Sequence, residues 1–185
     1  MLVLLSGVSG AGKDTVTKEL IKRMENVESL PSYTSREPRA NDVPGETYNF
    51  VTEEEFKKMI ERGELYEYSM HHEHYYGTSK KLLNEKIKNG KIIVKDVEVN
   101  GVENLVKILG KDLKIVTIFL KVEKDELRRR LENREDKLSD AEIDLRLSRL
   151  EYEESKIDMY DYVIENNNLE NTVNTIIKII EHAKK

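Results

Sequence analysis

Short apolar runs separated by longer amphipathic stretches set the architecture of this chain. Leu2-Val3-Leu4-Leu5, Ile92-Ile93-Val94, Ile115-Val116-Thr117-Ile118-Phe119-Leu120 and Tyr162-Val163-Ile164 are apolar pieces of strand length. They lack regular polar alternation, which predicts strands buried on both faces, as in a parallel sheet. Between them, apolar positions recur at helical spacing. The first such pattern runs from about Lys13 to Met24, with Val16, Leu20 and Ile21 on one face. Others lie near 79–89, 101–109, 124–133, 139–157 and 169–183. Strands alternating with helices predict an α/β fold: a mostly parallel sheet, helices on both faces, right-handed crossovers.

Two stretches break the alternation. Residues 32–78, with Pro31 just before them, hold Pro38, Pro44 and Gly45, and short alternating pieces such as Tyr48-Asn49-Phe50-Val51 and Leu65-Tyr66-Glu67-Tyr68. They predict a small antiparallel unit inserted into the α/β frame. Thr52-Glu53-Glu54-Glu55 before Phe56 has the form of a capping box, so a short helix belongs inside it. Residues 124–150 are rich in arginine, and Ser139-Asp140-Ala141-Glu142 restarts a helix there with a second capping box. Asn166-Asn167-Asn168 predicts a turn before the last helix.

Composition narrows the classes. At 185 residues the chain suits one domain with a sizeable core, and 36% charged residues call for a heavily charged surface. A net charge of −5 argues against nucleic acid as a partner, because a general binder needs a basic face. With no cysteine, disulfide and thiol chemistry are excluded. No apolar stretch reaches membrane-spanning length, and the first residues lead straight into a glycine-rich turn rather than forming a signal peptide. The expectation is a cytoplasmic protein with no membrane partner; the sequence does not fix its oligomeric state.

That turn carries the first chemistry. Gly7-Val8-Ser9-Gly10-Ala11-Gly12-Lys13-Asp14-Thr15 follows a strand and opens a helix. Backbone N–H groups there can converge on an anion, the helix N-terminus adds partial positive charge, and Lys13 can reach terminal phosphates. The bland alternative is a tight turn with an exposed lysine, but the strand before and the helix after supply the context of a phosphate loop. Asp14 stands where a hydroxyl residue often follows the lysine. Facing outward it would favour the helix dipole; facing inward it would oppose a phosphate. Thr15 is then the better hydroxyl for a metal, directly or through water. A second set is Ser32-Tyr33-Thr34-Ser35-Arg36-Glu37-Pro38-Arg39, followed by Gly45 to Val51. Arg36 and Arg39 among hydroxyls could grip another phosphate with planar, permanently charged forks, or could be solvated loop arginines.

These motifs, with Tyr75-Tyr76-Gly77-Thr78-Ser79, Asp96-Val97-Glu98-Val99-Asn100-Gly101, Arg130-Leu131-Glu132-Asn133-Arg134 and Tyr160-Asp161-Tyr162-Val163-Ile164, occur in an order that resembles the guanylate kinases. These are P-loop nucleoside-monophosphate kinases, and the likeness spans nearly the whole chain. The resemblance implies one domain: a core of 1–31, 79–123 and 151–185, a GMP-binding region at 32–78, and an arginine-rich lid at 124–150. It implies ATP-dependent phosphorylation of GMP, with dGMP as a further acceptor and Mg²⁺ as cofactor. Ser32, Arg36, Arg39, Tyr48 and Tyr76 match positions that hold the GMP phosphate. Glu67 matches the carboxylate that reads guanine, and Thr78 a hydroxyl near the base oxygen. Asp96 and Glu98 match acids beside the acceptor. Lys13 matches the lysine on the donor phosphates, Asn166 a residue beside the donor adenine. Arg130, Arg134 and Arg146 match lid arginines, while Arg128, Arg129 and Arg149 have no such match and read as surface residues.

Chemistry supports these roles. Guanine presents a ring N–H and an amine side by side, and one carboxylate accepts both. Adenine lacks that pair and would strand a buried Glu67. Departures are Asp14, Glu98 in place of a second Asp, and Glu135-Asp136-Lys137 without the usual glycine after Arg134. Two rivals are a guanylate-kinase-like protein-binding module and a kinase acting on another phosphorylated small molecule. The intact glycine loop weighs against the first, Glu67 with Thr78 against the second. His71, His72 and His74 with Glu73 suggest a metal, but tetrahedral sites usually draw ligands from separated segments, so they read as an exposed hairpin.

Overall fold

The computed structural model describes residues 1–39, 42–71, 73–133 and 137–184. Its elements in order are β1 (Leu2–Ser6), α1 (Lys13–Arg23), β2 (Val27–Ser29), β3 (Ser32–Thr34), β4 (Tyr48–Phe50), α2 (Glu53–Glu61), β5 (Leu65–His71) and β6 (His74–Ser79). There follow α3 (Lys80–Lys88), β7 (Ile92–Asp96), α4 (Val99–Leu109), β8 (Ile115–Lys121), α5 (Lys124–Glu132), α6 (Asp140–Leu147), α7 (Leu150–Glu154), β9 (Tyr162–Glu165) and α8 (Leu169–Ala183).

The main sheet has the order β2-β7-β1-β8-β9, and every pair in it is parallel. Leu2 to Leu5 of β1 are wholly buried, because helices cover the sheet and leave a central strand no solvent face. The four apolar runs all lie in this sheet. Its fifth strand, β2, escapes the sequence pattern: Val27-Glu28-Ser29 holds one apolar residue and pairs only with β7 at the edge. Helices start where the capping boxes predict. Thr52 Oγ1 accepts from the Glu55 N–H, and Ser139 and Glu142 cap reciprocally. The single helix expected over 139–157 is instead α6, α7 and a 3-10 turn at Ile157–Met159. Ser148 Oγ donates to the Leu145 carbonyl and Ser155 Oγ to that of Tyr152, local bonds that compete with a continuous helix.

The inserted region forms a second sheet, β4-β3-β6-β5. It is antiparallel except for its edge, where β4 runs parallel to β3. Phe56, Met59 and Leu65 form its own small core under α2.

Candidate active site

The glycine loop leaves β1 at the carboxyl end of the main sheet, the usual crevice for ligands in such sheets. Gly10 and Gly12 have φ near +90°, a conformation that side chains disfavour. Gly12 is also sterically confined: a Cβ there would sit 2.8 Å from Asn166 Nδ2. Lys13 Nζ donates to the Gly7 carbonyl at 2.6 Å, folding back over Gly7 and Val8, and lies 3.9 Å from Asp96 Oδ1. Asp14 and Thr15 are exposed in the first turn of α1. The charge of Asp14 nevertheless acts on both Asp96 and Tyr48, raising the pKa of each.

The arginine-rich segment reaches the same loop. Arg146 of α6 donates to Ser9 Oγ at 2.9 Å. Arg130 of α5 donates to the Asn166 carbonyl at 2.8 Å and is braced by Glu126. Asn166 in turn donates to the Ala11 carbonyl at 2.7 Å. Arg134 lies outside the described residues. Arg128 and Arg129 sit on the exposed face and pair with Asp144 and Glu126.

The second cluster hangs from the inserted sheet. Arg36 is clamped by Asp42 Oδ2 at 2.8 Å, and the same carboxylate oxygen accepts the Arg39 N–H at 2.7 Å. The Arg36 guanidinium lies 5.2 Å from the Tyr48 ring centroid, and Tyr48 packs edge-on against Tyr76 at 5.8 Å. The Arg39 side chain is exposed. Burial raises the Tyr48 hydroxyl well above its ordinary pKa, so it stays a donor.

Glu67 is almost wholly buried, and a bulge makes that possible. Leu65 pairs with Ser79 and Glu67 with Thr78, so one extra residue of β5 re-aims the strand. The Thr78 hydroxyl, itself buried, donates to Glu67 Oε1. The other oxygen rests on the first turn of α4, where a Cβ on Gly101 would lie 3.3 Å from it. The bare Gly101 backbone leaves room there for Val97, which a Cβ would meet at 2.5 Å, and for the carboxylate, near a helix N-terminus where negative charge is favoured.

Between the clusters stands Asp96, at the end of β7. Burial pushes its carboxyl up to about 6; Asp14 and Glu98 add to the rise, while Lys13 and Lys95 oppose it. Glu98, the residue before α4, pairs with Arg149 at 3.7 Å. Neighbouring Tyr152 donates to Asn100 at 2.7 Å.

Three participants were not legible beforehand. Asp42 belongs to a polar loop with no motif. Arg149 has no motif match, yet it reaches an acid of the cluster. Lys95 interrupts an apolar strand, donates to Ser32 Oγ at 2.7 Å and has no exposed surface. Among the described residues no three His, Cys, Asp or Glu side chains converge; His72, and with it the reading of the histidine hairpin, lies outside those residues.

The structure thus brings Lys13 of the glycine loop to 3.9 Å from Asp96 of β7, with Arg130 and Arg146 on the loop's side and Arg36 and the buried Glu67 carboxylate on the inserted sheet. Comparison with known proteins gives the family. A guanylate kinase family model matches residues 1–183. The chain is similar to a guanylate kinase of Prochlorococcus marinus subsp. pastoris, 37% identical over 180 residues, covering 97% of this chain and 96% of that protein. It is also similar to the Helicobacter pylori guanylate kinase, 39% identical over 179 residues, covering 96% and 85%. The crystal structure of guanylate kinase from Anaplasma phagocytophilum superposes with a TM-score of 0.80 at 28% identity, over 98% of this chain and 85% of that one.

Proposed function

The chain belongs to the guanylate kinase family, and from that premise we propose how its residues move a phosphoryl group from ATP to GMP, giving ADP and GDP. A GMP phosphate oxygen attacks the terminal phosphorus of ATP and the bond to ADP breaks. Such a transfer needs positioning and charge neutralisation rather than a protein nucleophile.

On the donor side, the loop from Gly7 to Thr15 cradles the ATP phosphates and Asn166 borders the adenine. Lys13 exchanges its Gly7 contact for the terminal phosphates, and Arg130 and Arg146 neutralise charge that spreads during transfer. With Arg134, they form a lid over 124–150 that excludes water, whose attack on ATP is the competing reaction. On the acceptor side, Ser32, Arg36, Arg39, Tyr48 and Tyr76 hold the GMP phosphate, which displaces Asp42 from Arg36. Glu67, aligned by Thr78, accepts the two guanine donors, with Asp96 and Glu98 closing the site. dGMP fits the same contacts, since none of them is assigned to a ribose hydroxyl.

A family that uses ATP implies a divalent metal, and Mg²⁺ is the proposal here. The donor set fits an ion carried in on the phosphates: Thr15 offers one exposed hydroxyl, and no three-ligand cage exists among the described residues. The ion would neutralise charge between the two terminal phosphates of ATP. No helix among the described residues is long and apolar enough to cross a membrane; a cytoplasmic setting for these free nucleotides is part of the proposal.

The observation supporting this division most directly is the 3.9 Å approach of Lys13 to Asp96, which joins the glycine loop to the acid cluster. The test is ADP release from ATP with GMP, dGMP, AMP, UMP, CMP or a sugar phosphate. Release with GMP and dGMP alone is expected. Release with none points to a binding module, and preference for a sugar phosphate contradicts the role of Glu67.

A further inference from the structure

Lys95 is the one lysine or arginine among the described residues that is buried, with no exposed surface at all. It follows Ile92-Ile93-Val94 in a strand packed on both sides, where a leucine would satisfy the fold. Moving an ammonium out of water is costly, and three N–H donors must be met. Ser32 Oγ, at 2.7 Å, is the only hydrogen-bond acceptor it meets among the described residues. No carboxylate of the described residues comes within ion-pair distance, although Glu67 and Asp96 both favour its charge against the burial that lowers its pKa.

The direction of the bond matters. A lysine can only donate, so Lys95 occupies a lone pair of Ser32 and leaves that hydroxyl's own proton free. Ser32 opens β3, where the chain passes from β2 of the main sheet to the inserted one, so the bond from Lys95 ties the two sheets at their junction. We propose that Lys95 is a positioning residue of the acceptor site: it turns Ser32 into a committed donor to the GMP phosphate and supplies, from inside the sheet, positive charge that offsets Glu67, Asp96 and the incoming phosphate. This rests on the reading of Ser32 as a GMP-phosphate contact. It also explains why a costly ammonium is kept in a strand that apolar side chains would fill more cheaply.

The experiment is a double-mutant cycle on the full chain with Lys95→Met, Ser32→Ala and both together. Steady-state kinetics and thermal unfolding are read for each. Wild-type turnover of GMP comes first: its absence sinks the guanylate kinase reading itself, whatever Lys95 does. With an active wild type, Lys95→Met should raise the KM for GMP about tenfold or more and leave the KM for ATP within about twofold, the loss of a charge-assisted bond. Its Tm should stay level or rise, because a packed apolar side chain replaces a buried charge. Added to Ser32→Ala, it should cost no more than about a further twofold in KM, since both act through one hydroxyl. A lowered Tm with unchanged GMP kinetics, or fully additive effects on KM, overturns the proposal. Should Lys95→Met not fold, Lys95→Gln takes its place in the same cycle, with the same outcomes deciding.

Discussion

The glycine loop rises from the most deeply buried strand of the protein, while the residues proposed to hold the acceptor stand on a sheet with little core of its own. β1 is flanked by parallel neighbours and covered by helices, and its four apolar residues are inaccessible to water. Among the described residues the inserted sheet's buried hydrophobic core is Phe56, Met59 and Leu65, with Tyr33, Val51, Ile60 and Tyr75 half-covered against it. The contrast suits two tasks. A phosphate cradle must keep its backbone donors fixed, and a well-packed sheet end does that. An acceptor site must admit GMP and then close on it, and a thinly packed unit opens at lower free energy. The polar clamps follow the same division. Arg36 is held by Asp42 within its own loop, a contact that a phosphate can replace; Asn166 ties the glycine loop to the last strand through a backbone carbonyl that no ligand replaces.

The largest effect should fall on the rigid side. Lys13→Ala removes the charge proposed to reach the terminal phosphates, and turnover should drop about a hundredfold or more. GMP affinity by calorimetry should stay within about twofold. A turnover near wild type would break the assignment of the glycine loop to the donor. Next comes Glu67→Gln, which swaps one acceptor oxygen for a donor facing guanine's own donors. GMP kcat/KM should fall by about tenfold to a hundredfold, and the ratio of GMP to AMP use should narrow. An unchanged ratio would mean that the buried carboxylate does not read the base.

Smaller and more telling for the comparison is Phe56→Ala. Phe56 is wholly buried and stacks on Tyr75 with ring centroids 5.2 Å apart. Its loss should cost about 3 kcal/mol or more. Because the damage lies in the inserted sheet, the KM for GMP should rise while the KM for ATP hardly moves. Equal losses for both nucleotides would mean that the two sheets share one stability. Least in size, because the side chain is about a third exposed and solvent screens its charge, is Asp96→Asn. The folded carboxyl titrates near 6 against an ordinary 3.8, so its ionised form destabilises the fold. That cost is full above about pH 6 and gone below about pH 4. The variant should therefore gain Tm near neutral pH, and the gain should vanish on acidification, as thermal melts across pH will read.

The rigid region was also the more legible one. Unbroken apolar runs follow directly from burial on both faces in β1, β7 and β8, so these strands and the glycine loop could be placed from residues alone; β9 was placed by its apolar run too, but it is an edge strand, and Tyr162 and Val163 are exposed rather than buried as that run predicts. β2 could not, because a three-residue edge strand needs only one apolar side chain. The Ser148–Arg149 break in the lid depends on serine hydroxyls choosing local carbonyls, which helical periodicity does not register. Glu67 was reachable only through resemblance: its burial depends on the bulge, on Thr78 and on bare Gly101, three conditions set by tertiary packing. Lys95 had a visible signal, a lysine directly after the apolar run of β7, but its meaning required knowing that Ser32 lies opposite.

Amide hydrogen exchange with each nucleotide alone tests the division of labour most directly. GMP should slow exchange in β3 to β6 and at the first turn of α4, leaving the loop from Gly7 to Thr15 near its free rate. A non-hydrolysable ATP analogue with Mg²⁺ should protect that loop and the lid helices instead, and AMP in place of GMP should do little to the inserted sheet. Protection by GMP centred on the glycine loop, or equal protection of the inserted sheet by AMP, would contradict the account.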